Sequence, residues 1–231
     1  MARRPTNPLA LAVLSCLYER PMYPYEITTT LRERGKEDSI RLNFGSLYSI
    51  IKSLEKNGLI AEARAEREGN RPERQVYEIT DAGRAEAERW LREILAVPTK
   101  EYPDIEAGLS LIGMLSPEEV TDLLRARISA LEAEVERRRG ELAQVTDLGL
   151  PEVFSVESDY RVAMLAAELA WVRTLVERLE RDEVGGQAMW QEMHRRRLAG
   201  AGPEEIEAAV REALPAPFRG GTVEGGGGAP T

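Results

Sequence analysis

The sequence predicts a mainly α-helical protein that contains one short β hairpin. Residues that favour helices, such as Ala, Glu, Leu and Arg, are abundant, whereas only 6% of the residues are aromatic. Apolar residues recur with helical spacing along most of the chain, and the spacing changes to a period of two only after Gly58. Two later segments carry long three-four alternations of apolar residues, which are typical of paired helices.

Two helices are predicted in the first 35 residues. The pair Asn7 and Pro8 is a helix cap followed by a first-turn proline, and the apolar stripe that follows it ends at Pro21. The second helix runs from about Tyr25 and ends at Gly35.

The third predicted helix begins at the cap residue Asn43 and ends at Gly58. Leu47, Ile51 and their helical neighbours fall on one face. The opposite face is small, polar and basic, and it carries Gly45, Ser49, Lys52, Ser53 and Lys56.

A β hairpin is predicted next, because apolar and polar residues alternate over residues 61–65 and again over residues 75–79. The intervening residues 69–72 are turn formers with a basic side chain. Thr80 then caps a fourth helix that carries Trp90. Three helices, a hairpin and a further helix form the element order of a winged helix-turn-helix domain, whose third helix enters the DNA major groove.

The side chains of the third helix suit such a use. Gly45 and Ser49 permit close approach, Ser46 and the helix N-terminal amides can donate to phosphate, and Lys52 can reach phosphate or a guanine edge. Residues 41–74 carry seven basic side chains against five acidic ones. Because this excess is small, a domain that binds only other proteins is the alternative.

Three stretches resemble the PadR-like transcriptional regulators. They are MYPYEI at residues 22–27, GSLYSIIKSLEKNGLI at 45–60 and NRPERQVYEITDAG at 70–83, and they follow the order and spacing of that family. The chain departs from the family pattern at Pro24, where glycine is usual, and at Glu73 and Gln75, where basic residues are common in the wing.

The resemblance implies that Tyr48 and Lys52 contact DNA from the third helix, and that Arg71 and Arg74 do so from the wing. From its position at the flank of the helix, Tyr48 could instead be a core tyrosine, and Tyr25 could pack or touch a phosphate. The complete set of predicted DNA-binding residues is Asn43, Gly45, Ser46, Tyr48, Ser49, Lys52, Arg71 and Arg74.

The rest of the chain is predicted to be helical. A short helix runs from Asp104 to about residue 114, a long helix begins at Ser116, and Ser158 caps another. One more helix covers residues 203–214, and the Gly-rich residues 220–228 are expected to be disordered.

The two long helices share an apolar alternation that needs a partner helix. An antiparallel pair within one chain or a homodimer would satisfy it, and the resemblance favours a dimer, because PadR-like proteins with long C-terminal regions dimerise through such helices. A two-fold dimer matches a palindromic DNA site. The residues predicted to mediate dimerisation are Ile128, Leu131, Val135, Val162, Leu165, Leu169, Val172 and Val176.

Three large aromatic side chains suit a pocket for a small-molecule effector, with core packing as the alternative for each: Trp90, Tyr102 and Trp171. PadR-like repressors often respond to phenolic or drug-like aromatic compounds, so the resemblance implies an aromatic effector.

Charge divides the chain into parts that suit different partners. Residues 1–97 carry 16 basic and 15 acidic side chains, which leaves 15 basic and 25 acidic among the remaining residues of this chain of net charge −9. An acidic part repels nucleic acid, so DNA binding is expected of residues 1–97. Residues 98–184 are then a helical dimerisation and effector domain, and residues 185–231 a helical and then Gly-rich tail.

The single cysteine and single histidine exclude a disulfide framework and a Cys/His zinc site. Cys16 is expected to be a buried hydrophobe and His194 a solvated surface residue. No nucleophile with a base and no phosphate loop is present, so neither enzymatic activity nor a cofactor is expected. The expected protein is a cytoplasmic, dimeric, ligand-responsive repressor, and the alternative is a winged-helix protein-interaction module with little or no DNA binding.

Overall fold

The computed structural model describes residues 7–40, 44–63 and 75–215. The chain divides into two compact units, an N-terminal unit up to Glu101 and a C-terminal unit from Tyr102. No helix among the described residues combines the length and the apolar character that crossing a bilayer requires.

The N-terminal unit begins with three helices, which confirms the predicted order. They are α1 (Pro8–Glu19), α2 (Pro24–Glu33) and α3 (Phe44–Lys56). The Asn7 side chain caps α1 by accepting a hydrogen bond from the amide of Leu9 at 3.0 Å.

The predicted hairpin is also present, with β1 (Ile60–Ala63) antiparallel to β2 (Val76–Ile79). Met22, between α1 and α2, pairs with Tyr77 through two backbone hydrogen bonds of 3.0 Å. This bridge attaches the segment before α2 to the wing. The predicted turn at the tip of the hairpin lies outside the described residues.

Helix α4 (Asp81–Ala96) is joined to the end of α3 through Thr80. The Thr80 hydroxyl donates to the carbonyl of Gly58 at 2.7 Å and accepts from the amide of Gly83 at 3.0 Å. A Cβ atom on Gly83 would lie 1.9 Å from the carbonyl oxygen of Leu59. Only glycine therefore permits this approach of α4 to the start of the wing.

The core of the N-terminal unit is built around α1, on which α2, α3, α4 and β2 pack. Cys16 is 1% exposed, as expected of a small buried hydrophobe, and burial raises the pKa of its thiol to about 11. Trp90 of α4 is also part of this core.

The C-terminal unit is entirely helical over its described residues. The segment predicted as one short helix is divided into α5 (Asp104–Ser110) and a 3-10 turn (Ile112–Met114). The longer helices that follow are α6 (Pro117–Asp147), α7 (Val156–Glu180), α8 (Gln187–Leu198) and α9 (Pro203–Ala213).

The prediction that Ser158 caps α7 is wrong. Helix α7 begins at Val156, and Ser155 is the residue that precedes it. The amides of both Ser158 and Asp159 donate to the carbonyl of Ser155, at 2.9 and 3.0 Å, so Ser158 already lies inside the first turn.

Helices α6 and α7 form an antiparallel pair that buries the predicted apolar alternation within one chain. Leu131, Val135, Leu169, Val172 and Val176 belong to its core, while Ile128 and Leu165 pack against that core and Val162 is buried. Ion pairs join the two helices at Arg125–Glu180, Arg127–Glu168 and Arg173–Glu132. The alternation therefore requires no second protomer, and dimerisation through these eight residues stays a prediction.

The contact at Gly83 makes a prediction about stability. Gly83→Ala should lower the free energy of unfolding by about 2 kcal/mol or more, because the added methyl group overlaps a backbone carbonyl that cannot move freely. Gly140→Ala, in α6 with open space around it, should raise it by about 0.5–1 kcal/mol, because alanine favours a helix. Urea denaturation of the full chain tests both, and equal stability of the two variants would contradict the packing argument.

Candidate nucleic-acid interface

Helix α3 has one face in the core and one at the surface, as its sequence predicts. Leu47, Ile51 and Leu54 are 4%, 1% and 1% exposed and anchor the helix on α1. The opposite side, here called the α3 face, consists of exposed residues: Gly45, Ser49, Lys52, Ser53 and Lys56.

Tyr48 is 57% exposed beside the α3 face, so it is not the core tyrosine that its position also allowed. Tyr25, in the first turn of α2, is 76% exposed. Ser46 is half-buried, and its carbonyl accepts a hydrogen bond from the Ser49 hydroxyl at 2.7 Å.

A cleft of 490 Å³ lies at the edge of the α3 face, between the start of α2 and the wing. Within the first turn of α2, the Glu26 carboxylate accepts from the amide of Tyr23 at 2.7 Å. Only some of the lining residues could be identified from the sequence, because they come from separate segments near α2, α3 and β2 that are brought together by folding. The lining residues are Tyr23, Pro24, Tyr25, Glu26, Tyr48 and Gln75.

The base of the wing is polar and acidic. Gln75 donates to the carboxylate of Glu62 at 2.6 Å and accepts from the hydroxyl of Tyr77 at 3.3 Å. Burial and the nearby charges of Glu55 and Glu62 raise the pKa of Tyr77. Gln75, which is neutral, lines the cleft and is hydrogen-bonded to the Glu62 carboxylate, a group that would repel phosphate.

The arrangement is a shallow surface with two lysines, small side chains and two exposed tyrosines, held rigidly by the core below. Such a surface can receive a phosphate backbone and base edges. Three of the predicted DNA-binding residues, Asn43, Arg71 and Arg74, lie outside the described residues, and their contacts stay predictions.

The three predicted effector residues occupy different environments. Trp90 is 5% exposed and packs in the core of the N-terminal unit, as the alternative of core packing predicted. Tyr102 and Trp171 are 80% and 51% exposed in the C-terminal unit. A pocket formed by these side chains stays a prediction.

His194 is not the solvated residue that the sequence predicts. It is half-buried, and among the described residues its buried Nδ1 atom has no hydrogen-bond partner. The cause is the packing of α8 on the segment before α6, where Trp190 Nε1 donates to the carbonyl of Leu115 at 2.7 Å and Arg197 donates to that of Gly113 at 2.9 Å. Among the described residues, no group of His, Cys, Asp and Glu side chains could hold a metal ion.

Comparison with known proteins agrees with this architecture. Residues 13–89 match the model of the PadR-like family of transcriptional regulators. The negative transcriptional regulator PadR of Bacillus subtilis (strain 168) is 24% identical over 182 residues, which cover 75% of this chain and 98% of the relative.

Solved structures of B. subtilis PadR share the fold. The complex with operator DNA has a TM-score of 0.60 at 19% identity, covering 76% of this chain and 99% of that chain. The complex with p-coumaric acid has a TM-score of 0.61 at 18% identity, covering 74% and 98%. Residues 13–89 are thus similar to the PadR-like family of transcriptional regulators, and the chain shares the fold of B. subtilis PadR over about three quarters of its length.

Proposed function

We propose that this protein is a repressor that binds a palindromic operator as a homodimer and releases it when an aromatic compound binds. The α3 face is the observation that carries the proposal. It presents Lys52 and Lys56 together with small side chains on a helix whose other face is fixed in the core.

Each feature of the α3 face has a role in this function. Gly45 and Ser49 let the helix backbone approach the bases, and Lys52 and Lys56 neutralise phosphates or reach guanine edges. Tyr25 and Tyr48 stand at the edge of the face, where their hydroxyl groups can donate to phosphate oxygens. The proposal adds Arg71 and Arg74 from the wing, which the family resemblance implies.

The charge distribution supports binding through the N-terminal unit. The acidic excess of the chain lies beyond residue 97, where it repels DNA and keeps this part of the protein away from the duplex. B. subtilis PadR, a negative transcriptional regulator, has been solved in complex with operator DNA, which supports repression through the shared fold.

A homodimer is supported by apolar side chains at the end of the α6–α7 pair. Because the seam between the two helices is closed within the chain, surfaces outside the seam are also available to a second protomer. The residues around the α6–α7 connection form an exposed apolar patch of the kind that marks interfaces. This patch comprises Leu148, Val153, Phe154, Tyr160 and Met164, which are 87%, 73%, 68%, 66% and 52% exposed.

An aromatic effector is supported by the outer face of α7. Trp171 follows Tyr160 and Met164 by 11 and 7 residues, so the three side chains fall on one stripe of the helix, and all are more than half exposed. Aromatic rings and a methionine offer an adaptable surface to a flat ligand. B. subtilis PadR has been solved with p-coumaric acid, an aromatic compound.

Lys52→Ala should weaken binding to operator fragments selected from the source genome. If a dimer neutralises on the order of six phosphates, the plot of log K against log salt has a slope near −5. Loss of one phosphate contact per protomer should make this slope shallower by about 2. Fluorescence anisotropy between about 50 and 200 mM salt measures both quantities. Lys100→Ala, which removes the same charge outside the α3 face, is the control. Absence of binding at low salt, or equal loss in both variants, would point to the protein-interaction alternative.

Phe154→Glu should raise the dissociation constant of the dimer about tenfold or more, because it places a charge in the apolar patch without disturbing the core. Leu123→Glu, at an exposed site near the opposite end of the helix pair, should leave it unchanged. Sedimentation equilibrium compares the two variants with the parent protein. A dimer that persists in Phe154→Glu, or dissociates equally in Leu123→Glu, rejects the patch as the interface.

Titration with p-coumaric acid as the probe should quench tryptophan emission and weaken operator binding over one concentration range. A ligand releases DNA only if it binds more tightly to the dimer that fits the operator poorly. Both responses should shrink in Trp171→Ala and persist in Leu198→Ala, which alters an exposed side chain on α8. Quenching without any change in DNA affinity would remove the sensor role from the proposal.

A further inference from the structure

The C-terminal unit contains a polar cleft at the place where α6 begins, α7 ends and α8 begins. Its volume is 520 Å³, within the range of small-molecule sites, which is roughly 300–1,000 Å³. We propose that this cleft binds a small organic cation that carries a primary ammonium or guanidinium group. The site is independent of DNA binding. The charged and polar residues that line the cleft include Glu118, Asp122, Arg125, Glu180, Asp182 and Gln187.

The cleft has a strong negative charge. Four carboxylates face one guanidinium in its lining, which gives a formal charge of −4 + 1 = −3. The partial negative charge at the C-terminal end of α7 is opposed by the partial positive charges where α6 and α8 begin, so the carboxylates determine the sign of the field. Hydrogen bonds from its own backbone amide and from Ser116 lower the pKa of Glu118, so this carboxylate is ionised at neutral pH. The electrostatic field therefore favours a cation.

Arg125 shows that the walls of the cleft accommodate a guanidinium group. It donates to Asp122 at 2.7 Å and to Glu180 at 2.7 and 3.1 Å. These bonds occupy two of the four carboxylates and leave Glu118 and Asp182 for a ligand. Glu118 also accepts from Gln191 at 3.2 Å, which holds its side chain at the cleft.

Gln187 supplies an independent indication of a ligand. This side chain is 7% exposed, and its amide nitrogen donates to the Leu179 carbonyl at 2.8 Å and to Asp182 at 2.9 Å. Both partners are acceptors, so the orientation of the amide is determined. The amide oxygen then has no hydrogen-bond partner among the described residues. A buried acceptor without a donor is unfavourable, and an ammonium or guanidinium N–H group would satisfy it.

The lining favours an organic cation over a metal ion. Within the described ranges no cluster of carboxylates, His or Cys is arranged to hold a metal. An elongated cation can place its charged group near Asp182 and Gln187 and its carbon chain along the buried Pro117 and Leu179 side chains.

Isothermal titration of the full chain with putrescine and with agmatine tests the proposal. One saturable site per chain is expected at low salt. Asp182→Asn should weaken binding about fivefold or more, because it removes a charge at the site. Asp182 has a positive φ of 55°, which asparagine also tolerates, and the amide oxygen can still accept from Gln187, so the fold is preserved.

Asp159→Asn is the matched control, since it removes the same charge about 35 Å away along α7, beyond the screening length of about 10 Å. Arg125→Gln should have the opposite effect and tighten binding, because it removes the competing guanidinium group. Equal weakening by Asp182→Asn and Asp159→Asn would show diffuse attraction to an acidic surface and overturn the proposal. Absence of saturable binding at low salt, as expected if only water satisfies Gln187, would also overturn it.

Discussion

Burial of α1 is the constraint on which the N-terminal unit depends. Four other elements pack on this one helix, and seven of its twelve residues are buried. The apolar side of α3 packs against α1, α2 and β1, so its small and basic side faces outward. The proposed DNA-binding surface is therefore a consequence of core packing, and a rigid core keeps such a surface preorganised for its ligand.

Two local contacts hold the wing in position against these helices. The Met22–Tyr77 bridge attaches β2 to the segment before α2, and Thr80 joins the end of α3 to the start of α4. Gly83 lets the backbones meet at this junction. Because these contacts connect the wing to both helices of the helix-turn-helix, the aromatic cleft at the edge of the α3 face has a definite shape.

The C-terminal unit uses its residues differently. Many of its apolar side chains pack in the seam between α6 and α7, and ion pairs join the two helices across that seam. What remains at the surface is an apolar patch at one end of the pair and an acidic cleft at the other. The surfaces proposed for self-association and for cation binding therefore lie at opposite ends of one helix pair, while the N-terminal unit carries the features suited to DNA.

The class of fold, the order of the elements and the two faces of α3 could be predicted from the amino-acid sequence. These features follow from local rules: caps such as Asn7, Thr80 and Ser116 end or begin helices, and the change from a helical period to a period of two identifies the wing. The resemblance to the PadR-like family was also recognisable, because the motifs that carry it are contiguous in the chain. Residues whose environment depends on a single helix, such as Cys16 and Leu47, were placed correctly.

The packing environment of each side chain, in contrast, follows from the tertiary structure. An apolar alternation has the same spacing whether its partner helix is in the same chain or another, so the intrachain seam between α6 and α7 could not be read from Leu169 or Val172. Trp90 and Trp171 look alike in sequence, yet one is in the core and the other is half-exposed. The exposure of Tyr48, the burial of His194 and the unpaired oxygen of Gln187 depend on neighbours distant in sequence, because burial and hydrogen bonding are properties of the packed chain.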